Sequence, residues 1–324
     1  MTNLGWLFAA VVMAYGCAAV ASHMRYRIRG RVGAVAGWCF LPIILACPLL
    51  IPAANIGLRA ASAFVSGDIA FKMADYFRRW GELDRRFVLR EYYRFLVPFP
   101  VLSAVYPDHK RRLGPRMNPW PQVGRLAWGI VGFVVALQAL MALSRIATLR
   151  ENFALNHAAI LPIFVLGIES ISRAICGLER LAGFDTTPII RNAYLSRTIF
   201  EFWRRYNSRI HDWFYRNVFQ PSGGRRAPVR SMLVVFLVSG LFHEAMFAMA
   251  TSRPTGYQLA FFTLQGPAAL ASGRLERLAR RGGIGGKTLA HGTTILFLAV
   301  TSVFFFDGVS KIFPFVYASK SPLP

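Results

Sequence analysis

Long apolar runs, broken by short clusters of arginine, proline and glycine, set the pattern of this chain. A helix crosses about 30 Å of hydrocarbon with about 20 apolar residues. Seven stretches reach or approach that length: 4–22, 34–58, 126–147, 153–181, 232–251, 257–272 and 289–306. An eighth, 60–76, carries Asp68, Lys72 and Asp75, and is expected to be buried among other helices or to lie partly at an interface. One further segment, 199–218, alternates with a helical period. Phe202, Trp203, Tyr206 and Trp213 fall on one half of a wheel, and Arg204, Arg205, Arg209 and Arg216 on the other. That is an amphipathic helix suited to a membrane surface. The pattern predicts an all-α fold, a polytopic transmembrane helical bundle of about eight spans plus this interfacial helix.

Charge orders the runs. Arg25, Arg27, Arg29 and Arg31 follow the first, and segments 78–125, 191–230 and 274–287 are basic. The turns near Arg59, 150–156 and 253–256 are lightly charged. With eight spans every heavily basic loop falls on one side, the positive-inside pattern, and both termini lie outside. Without 60–76 the first basic loop would oppose the later ones. Ala19-Val20-Ala21 resembles a cleavage site, but no positive region precedes the run and arginines follow it at once. The first helix is therefore expected to be retained. The proline-rich stretch 98–121 predicts an irregular cytoplasmic connection. No internal repeat is visible.

Composition agrees. Hydrophobic residues make up 55% and charged residues 16% of the 324, against roughly 45–50% and 25% in soluble domains. Disorder is excluded. The net charge of +23 is explained by the loops, so no nucleic-acid partner is needed. Cys17, Cys39, Cys47 and Cys176 lie in apolar runs without a C-x-x-C pair, which argues against a disulfide framework or a thiolate metal site.

Two motif fragments fail. Residues 282–288, GGIGGKT, lack the first glycine of a phosphate loop, Arg281 standing in its place, and read as a flexible loop. His243-Glu244 begins like a zinc-protease helix, but Phe247 stands where the second histidine belongs. No metal site is expected. His23, His109 and His157 are expected to be solvated near span ends or in loops, and His291 to be an ordinary interfacial histidine.

Two signals stand. His243 and Glu244 are the only ionisable residues of the run 232–251 and lie near its middle. Such groups cost about 2.5–3.5 kcal/mol on insertion scales and face a bundle interior or a cavity. They can serve as a pair that fixes helix packing, or His243 can serve as a general base, neutral and able to accept a proton. On the interfacial segment, Asn207 and His211 sit at i and i+4 on the edge of the apolar half, where polar groups need partners. They suit hydrogen bonds inside a tunnel that the helix roofs, or a plain interfacial anchor.

At these residues a family becomes visible. Phe202-Trp203-Arg204-Arg205-Tyr206-Asn207, then His211-Asp212-Trp213 and Val218-Phe219-Gln220-Pro221, resemble the membrane-bound O-acyltransferase superfamily. The likeness is to its branch of diacylglycerol and sterol O-acyltransferases and wax synthases. Val238-Ser239-Gly240-Leu241-Phe242-His243-Glu244 is similar to that branch's catalytic-histidine helix, and Phe262-Thr263-Leu264-Gln265-Gly266-Pro267 to its next helix. The match covers about 184–274. Two departures matter: the length is nearer the wax synthases, and Tyr206 replaces a tryptophan common before the asparagine.

The resemblance implies one integral membrane acyltransferase domain over 1–324, with N-terminal spans and a basic loop in 1–125 and the catalytic part in 126–324. It implies His243 as the base, Asn207 as a group that positions or polarises the acyl thioester, and Glu244 and Gln265 as acceptor contacts. Trp203 and His211 join them as candidate substrate-binding residues. Acyl-CoA or another acyl thioester is the expected donor, a lipid alcohol the acceptor, and membrane lipids the surroundings, with no cofactor beyond the co-substrate. The expected location is a bacterial cytoplasmic membrane with the basic loops cytoplasmic. The rival reading is a transporter or channel with His243 and Glu244 in a proton or solute path. It predicts more ionisable residues on other spans, where few are seen apart from Glu169 and the run 60–76.

Overall fold

The computed structural model describes residues 2–28, 30–78, 93, 96, 118–183, 186–317 and 323. Among these, every regular element is helical. Most of the predicted proline-rich connection and basic segment, with Arg29 and His109, lies outside the described residues.

Among the described residues, five helices are long and apolar enough to cross a membrane. They are α1 (Asn3–Arg27), α5 (Trp120–Leu143), α7 (Phe153–Leu181), α10 (Pro228–Thr251) and α12 (Gly283–Ile312). The remaining expected runs form helices of other character. Run 34–58 forms α2 (Gly30–Trp38), α3 (Phe40–Ala46) and a 3₁₀ turn, Cys47–Leu50, within which Val35–Leu50 makes a shorter apolar helical stretch. Pro48, which has no amide donor, is the second residue of that 3₁₀ turn. The run 60–76 lies within α4 (Ile56–Arg78), and 257–272 within α11 (Tyr257–Arg281). The supposed flexible loop at 282–288 is instead the cap and first turns of α12, with Gly282 alone standing between the end of α11 at Arg281 and the start of α12. A short helix, α6 (Ala147–Glu151), joins α5 to α7.

The chain divides into two compact units, Met1–Asp108 with Leu241–Gly256, and His109–Gly240 with Tyr257–Pro324. In the first, α1 buries a stripe of small residues, Ala10, Ala14, Ala18 and Ala21, and packs on α4. Small residues let helix backbones approach where lipid offers no hydrophobic drive. α4 is enclosed, as its charges require: Arg59, Asp68, Lys72 and Asp75 are all buried. Lys72 Nζ lies 2.8 Å from Asp68 Oδ2 and donates to the Leu96 carbonyl at 3.4 Å. Gly67 lets α4 meet the end of α10, since a Cβ there would lie 2.9 Å from the Phe242 ring. The rings of Phe71 and Phe242 sit 4.6 Å apart.

In the second unit α5 and α7 cross at Gly129, where a Cβ would come within 2.7 Å of the Ser170 carbonyl oxygen. α11 packs on α12, and an aromatic cluster of Phe236, Phe261 and Phe262 fills the space beneath Ile199.

Candidate functional site

The expected single helix 199–218 is broken. α8 (Ile199–Tyr206) ends at Asn207, which leaves helical geometry at φ −145°, ψ 78°. α9 (Ser208–Phe214) follows, then a π-helical turn, Tyr215–Phe219. Local chemistry specifies both starts. Thr198 Oγ1 accepts from the Glu201 amide at 3.1 Å and caps α8. Asn207 Oδ1 accepts from the Ile210 amide at 3.1 Å and caps α9.

The segment 186–192 straps the break from outside. The Ser208 amide donates to the Ile189 carbonyl, and the Arg191 amide to the Arg205 carbonyl. Arg209, expected on the polar outer face, is instead buried. Its guanidinium meets both oxygens of Glu179 on α7, at 2.9 and 2.7 Å, and donates to the Thr187 carbonyl. A bidentate pair of this kind adds directional strength, and removing one partner would leave an uncompensated buried charge.

The Asn207 cap has a chemical consequence. Only the amide oxygen can accept from the Ile210 N–H, so the side chain cannot flip. Its Nδ2 group makes no hydrogen bond among the described residues, which leaves two fixed donors for a ligand oxygen. Next to it, Tyr206 stacks on Phe202 with centroids 5.1 Å apart. Desolvation pushes its phenol up to about 12, so it stays neutral at physiological pH.

Trp203 and Gln265 are brought together. The indole Nε1 donates to Gln265 Oε1 at 3.3 Å, and Gln265 Nε2 donates to Thr301 Oγ1 at 3.1 Å. Gln265 is fully buried. Phe236, Phe261 and Phe262 surround the indole. His211 stands apart from this chain of bonds, with a side chain 38% exposed and Nδ1 3.4 Å from Asp212 Oδ1.

His243 and Glu244 belong to the first unit. They lie about two turns before α10 ends at Thr251, past the middle of the helix where they were expected. Glu244 Oε1 accepts from the amides of Thr255 and Gly256, both at 2.7 Å, so its carboxylate ties down the loop that follows the helix. The same loop is held at Ser252 by the buried Arg59, which also donates to the Ile51 carbonyl at 2.7 Å. His243 is half-buried, with its ring edge-on to Phe242.

Sequence reasoning missed one buried histidine. His157, expected to be solvated, is 6% exposed in the second unit. Its Nδ1 lies 2.6 Å from Tyr317 Oη, and its Nε2 meets the Ala299 carbonyl at 2.9 Å and Ser302 Oγ at 3.1 Å. A signal was present: Asn152 caps α7, which puts Phe153, His157, Ile160 and Phe164 on one helix face. His291 lies inside α12, with Nδ1 2.9 Å from the Ser196 carbonyl. His23 is exposed, as expected.

Comparison with known proteins adds an independent line. The profile of the MBOAT, membrane-bound O-acyltransferase family, matches residues 131–301. A long-chain-alcohol O-fatty-acyltransferase of Simmondsia chinensis is 29% identical over 188 residues, covering 53% of this chain and 50% of that protein. Diacylglycerol O-acyltransferase 1C of Glycine max is 27% identical over 109 residues, 33% of this chain and 21% of that protein. A probable alginate O-acetylase of Pseudomonas syringae pv. tomato is 32% identical over 73 residues, 21% and 14% respectively. The chain thus spans half the length of the Simmondsia relative and less of the other two.

Proposed function

The chain belongs to the membrane-bound O-acyltransferase family, and from that premise we propose that it moves a fatty acyl group from acyl-CoA to a lipid alcohol, as a wax-ester synthase would. His243 takes the proton of the acceptor hydroxyl. The alkoxide oxygen attacks the thioester carbonyl, the C–S bond breaks, and the thiolate leaves with the proton that His243 returns. Asn207 donates its Nδ2 hydrogens to the carbonyl oxygen as charge develops there. Fixed donors of this kind typically contribute about 2.7–4 kcal/mol to the transition state.

The observation that carries this reading is the Asn207 cap, which orients an amide donor without using it. The acceptor class rests on the names of two relatives, one acting on long-chain alcohols and one on diacylglycerol. Gln265 and Trp203 form a bonded pair suited to an apolar acceptor path, while Glu244 serves His243 by holding the loop beyond it. The basic loops are assigned to the cytoplasmic side, where they attract the phosphates of CoA as they would anionic lipid.

The test is turnover by the purified protein in lipid nanodiscs, with labelled acyl-CoA and a panel of long-chain alcohols and diacylglycerol. Formation of an ester and free CoA in equal amounts supports the proposal. Absence of ester with every acceptor, from protein that melts cooperatively, overturns it.

A further inference from the structure

The outer faces of α5 and α7 enclose a groove of about 450 Å³, lined by Gly124, Arg125, Trp128, Gly129, Ser170 and Arg173. Both helices are long and apolar enough to cross a membrane, so this groove opens toward lipid. Trp120, at the first residue of α5, is 75% exposed, where an indole marks the headgroup level. Trp128 lies two turns further along and is 78% exposed. Between them sits Arg125, one turn before Trp128.

The two arginines have donors to spare. Among the described residues Arg125 gives one hydrogen bond, to Gln122 at 3.3 Å. Arg173 gives one, to Asn192 at 3.3 Å, and its side chain is 57% exposed. Glu169, 3.8 Å away, is nearly buried and already accepts from the Ala193 amide, so it only partly compensates Arg173. A guanidinium has five N–H donors in a planar fork that matches phosphate. On the lipid-facing side of a span it is costly unless an anion neutralises it. Gly124 leaves open space on this face, since a Cβ there would meet nothing within 4 Å, and the indole forms an apolar wall next to the charged end.

We propose that this groove binds an anionic phospholipid, with its phosphate held by Arg125 and Arg173 and an acyl chain lying along Trp128. The site is separate from the transfer chemistry and stands whether or not that reading holds.

The test uses the full chain in nanodiscs of phosphatidylcholine with a minor fraction of phosphatidylglycerol, bromine being placed on the chains of one lipid or the other. Bromine quenches a touching indole, and the difference between wild type and Trp128→Phe isolates Trp128. Each arginine near an anionic headgroup favours it about fivefold, so Trp128 should prefer phosphatidylglycerol by roughly 30-fold. Arg125→Gln or Arg173→Gln alone should leave about fivefold, and the double variant should abolish the preference without lowering the melting temperature. Single substitutions keep the test decisive if the double variant folds poorly. Equal quenching by the two lipids in wild type overturns the proposal. So does an equal preference at Trp120, which signals diffuse attraction by net charge, or loss of the preference in added inorganic phosphate, which signals an anion site alone.

Discussion

His157 and His243 each stand on a helix long and apolar enough to cross a membrane, yet their surroundings differ. At His157 the network fixes the ring. The Ala299 carbonyl can only accept, so Nε2 carries the hydrogen and the Nδ1 lone pair takes the Tyr317 hydroxyl. Ser302 spends its own hydrogen on the same carbonyl. Phe153, Phe306 and Tyr317 close around the ring. That lone pair is committed to holding the chain beyond α12 against α7. His243 is half-buried, and its helix is anchored through its neighbours, Phe242 on Phe71 and Glu244 on the loop amides. Position inside a span therefore does not by itself mark a base.

The contrast breaks if the two histidines exchange roles on substitution. His243→Ala should lower ester formation by about two to four orders of magnitude, the scale of general-base catalysis, with the melting temperature unchanged. Steady-state turnover beside a melt in the same nanodisc checks this, and normal turnover removes His243 from the mechanism. Asn207→Asp sharpens the comparison further, because aspartate caps a helix as well as asparagine does but has no amide hydrogens. It should keep stability while lowering kcat and kcat/KM together by about two to three orders of magnitude. A loss of stability with kinetics intact would reduce Asn207 to a cap.

The structural partner should behave in the opposite way. His157→Ala orphans the Tyr317 hydroxyl and should cost about 1–3 kcal/mol in denaturant unfolding, with the activity per folded molecule kept. Activity lost without any change in stability would place His157 in the chemistry instead. The smallest effect is expected at Gln265. Gln265→Leu removes both of its bonds and should cost about 1 kcal/mol while raising the acceptor KM, with kcat less changed. An unchanged KM would confine Gln265 to supporting the Trp203 indole.

The sequence made the helices legible because apolar runs bounded by arginine are the strongest signal a spanning segment carries. It also showed that 60–76 differs, and its charges are indeed enclosed. The break at Asn207 was harder to read. The helical wheel continues through it, and what stabilises the break is the strap 186–192, whose Ile189 carbonyl lies outside the window that the wheel reads. The two cap residues, Thr198 and Asn207, were local clues that the periodicity masked. The Arg209–Glu179 pair joins residues 30 apart, so no wheel could have moved that arginine inward. His157 misled because proximity to a helix end was equated with water, whereas the chain beyond α12 folds over it.

The clamp between Glu244 and the amides of Thr255 and Gly256 bears on rotation rather than on contact. A helix can spin about its own axis with little loss of apolar packing, and each residue of slip turns a side chain by about 100°. Two short bonds from one carboxylate to consecutive amides act as a key in a slot, because they cannot be kept at any other angle. The imidazole one position earlier inherits that azimuth. Inserting a single residue between 244 and 251 would leave hydropathy and span length almost untouched yet turn the keyed carboxylate away from its slot.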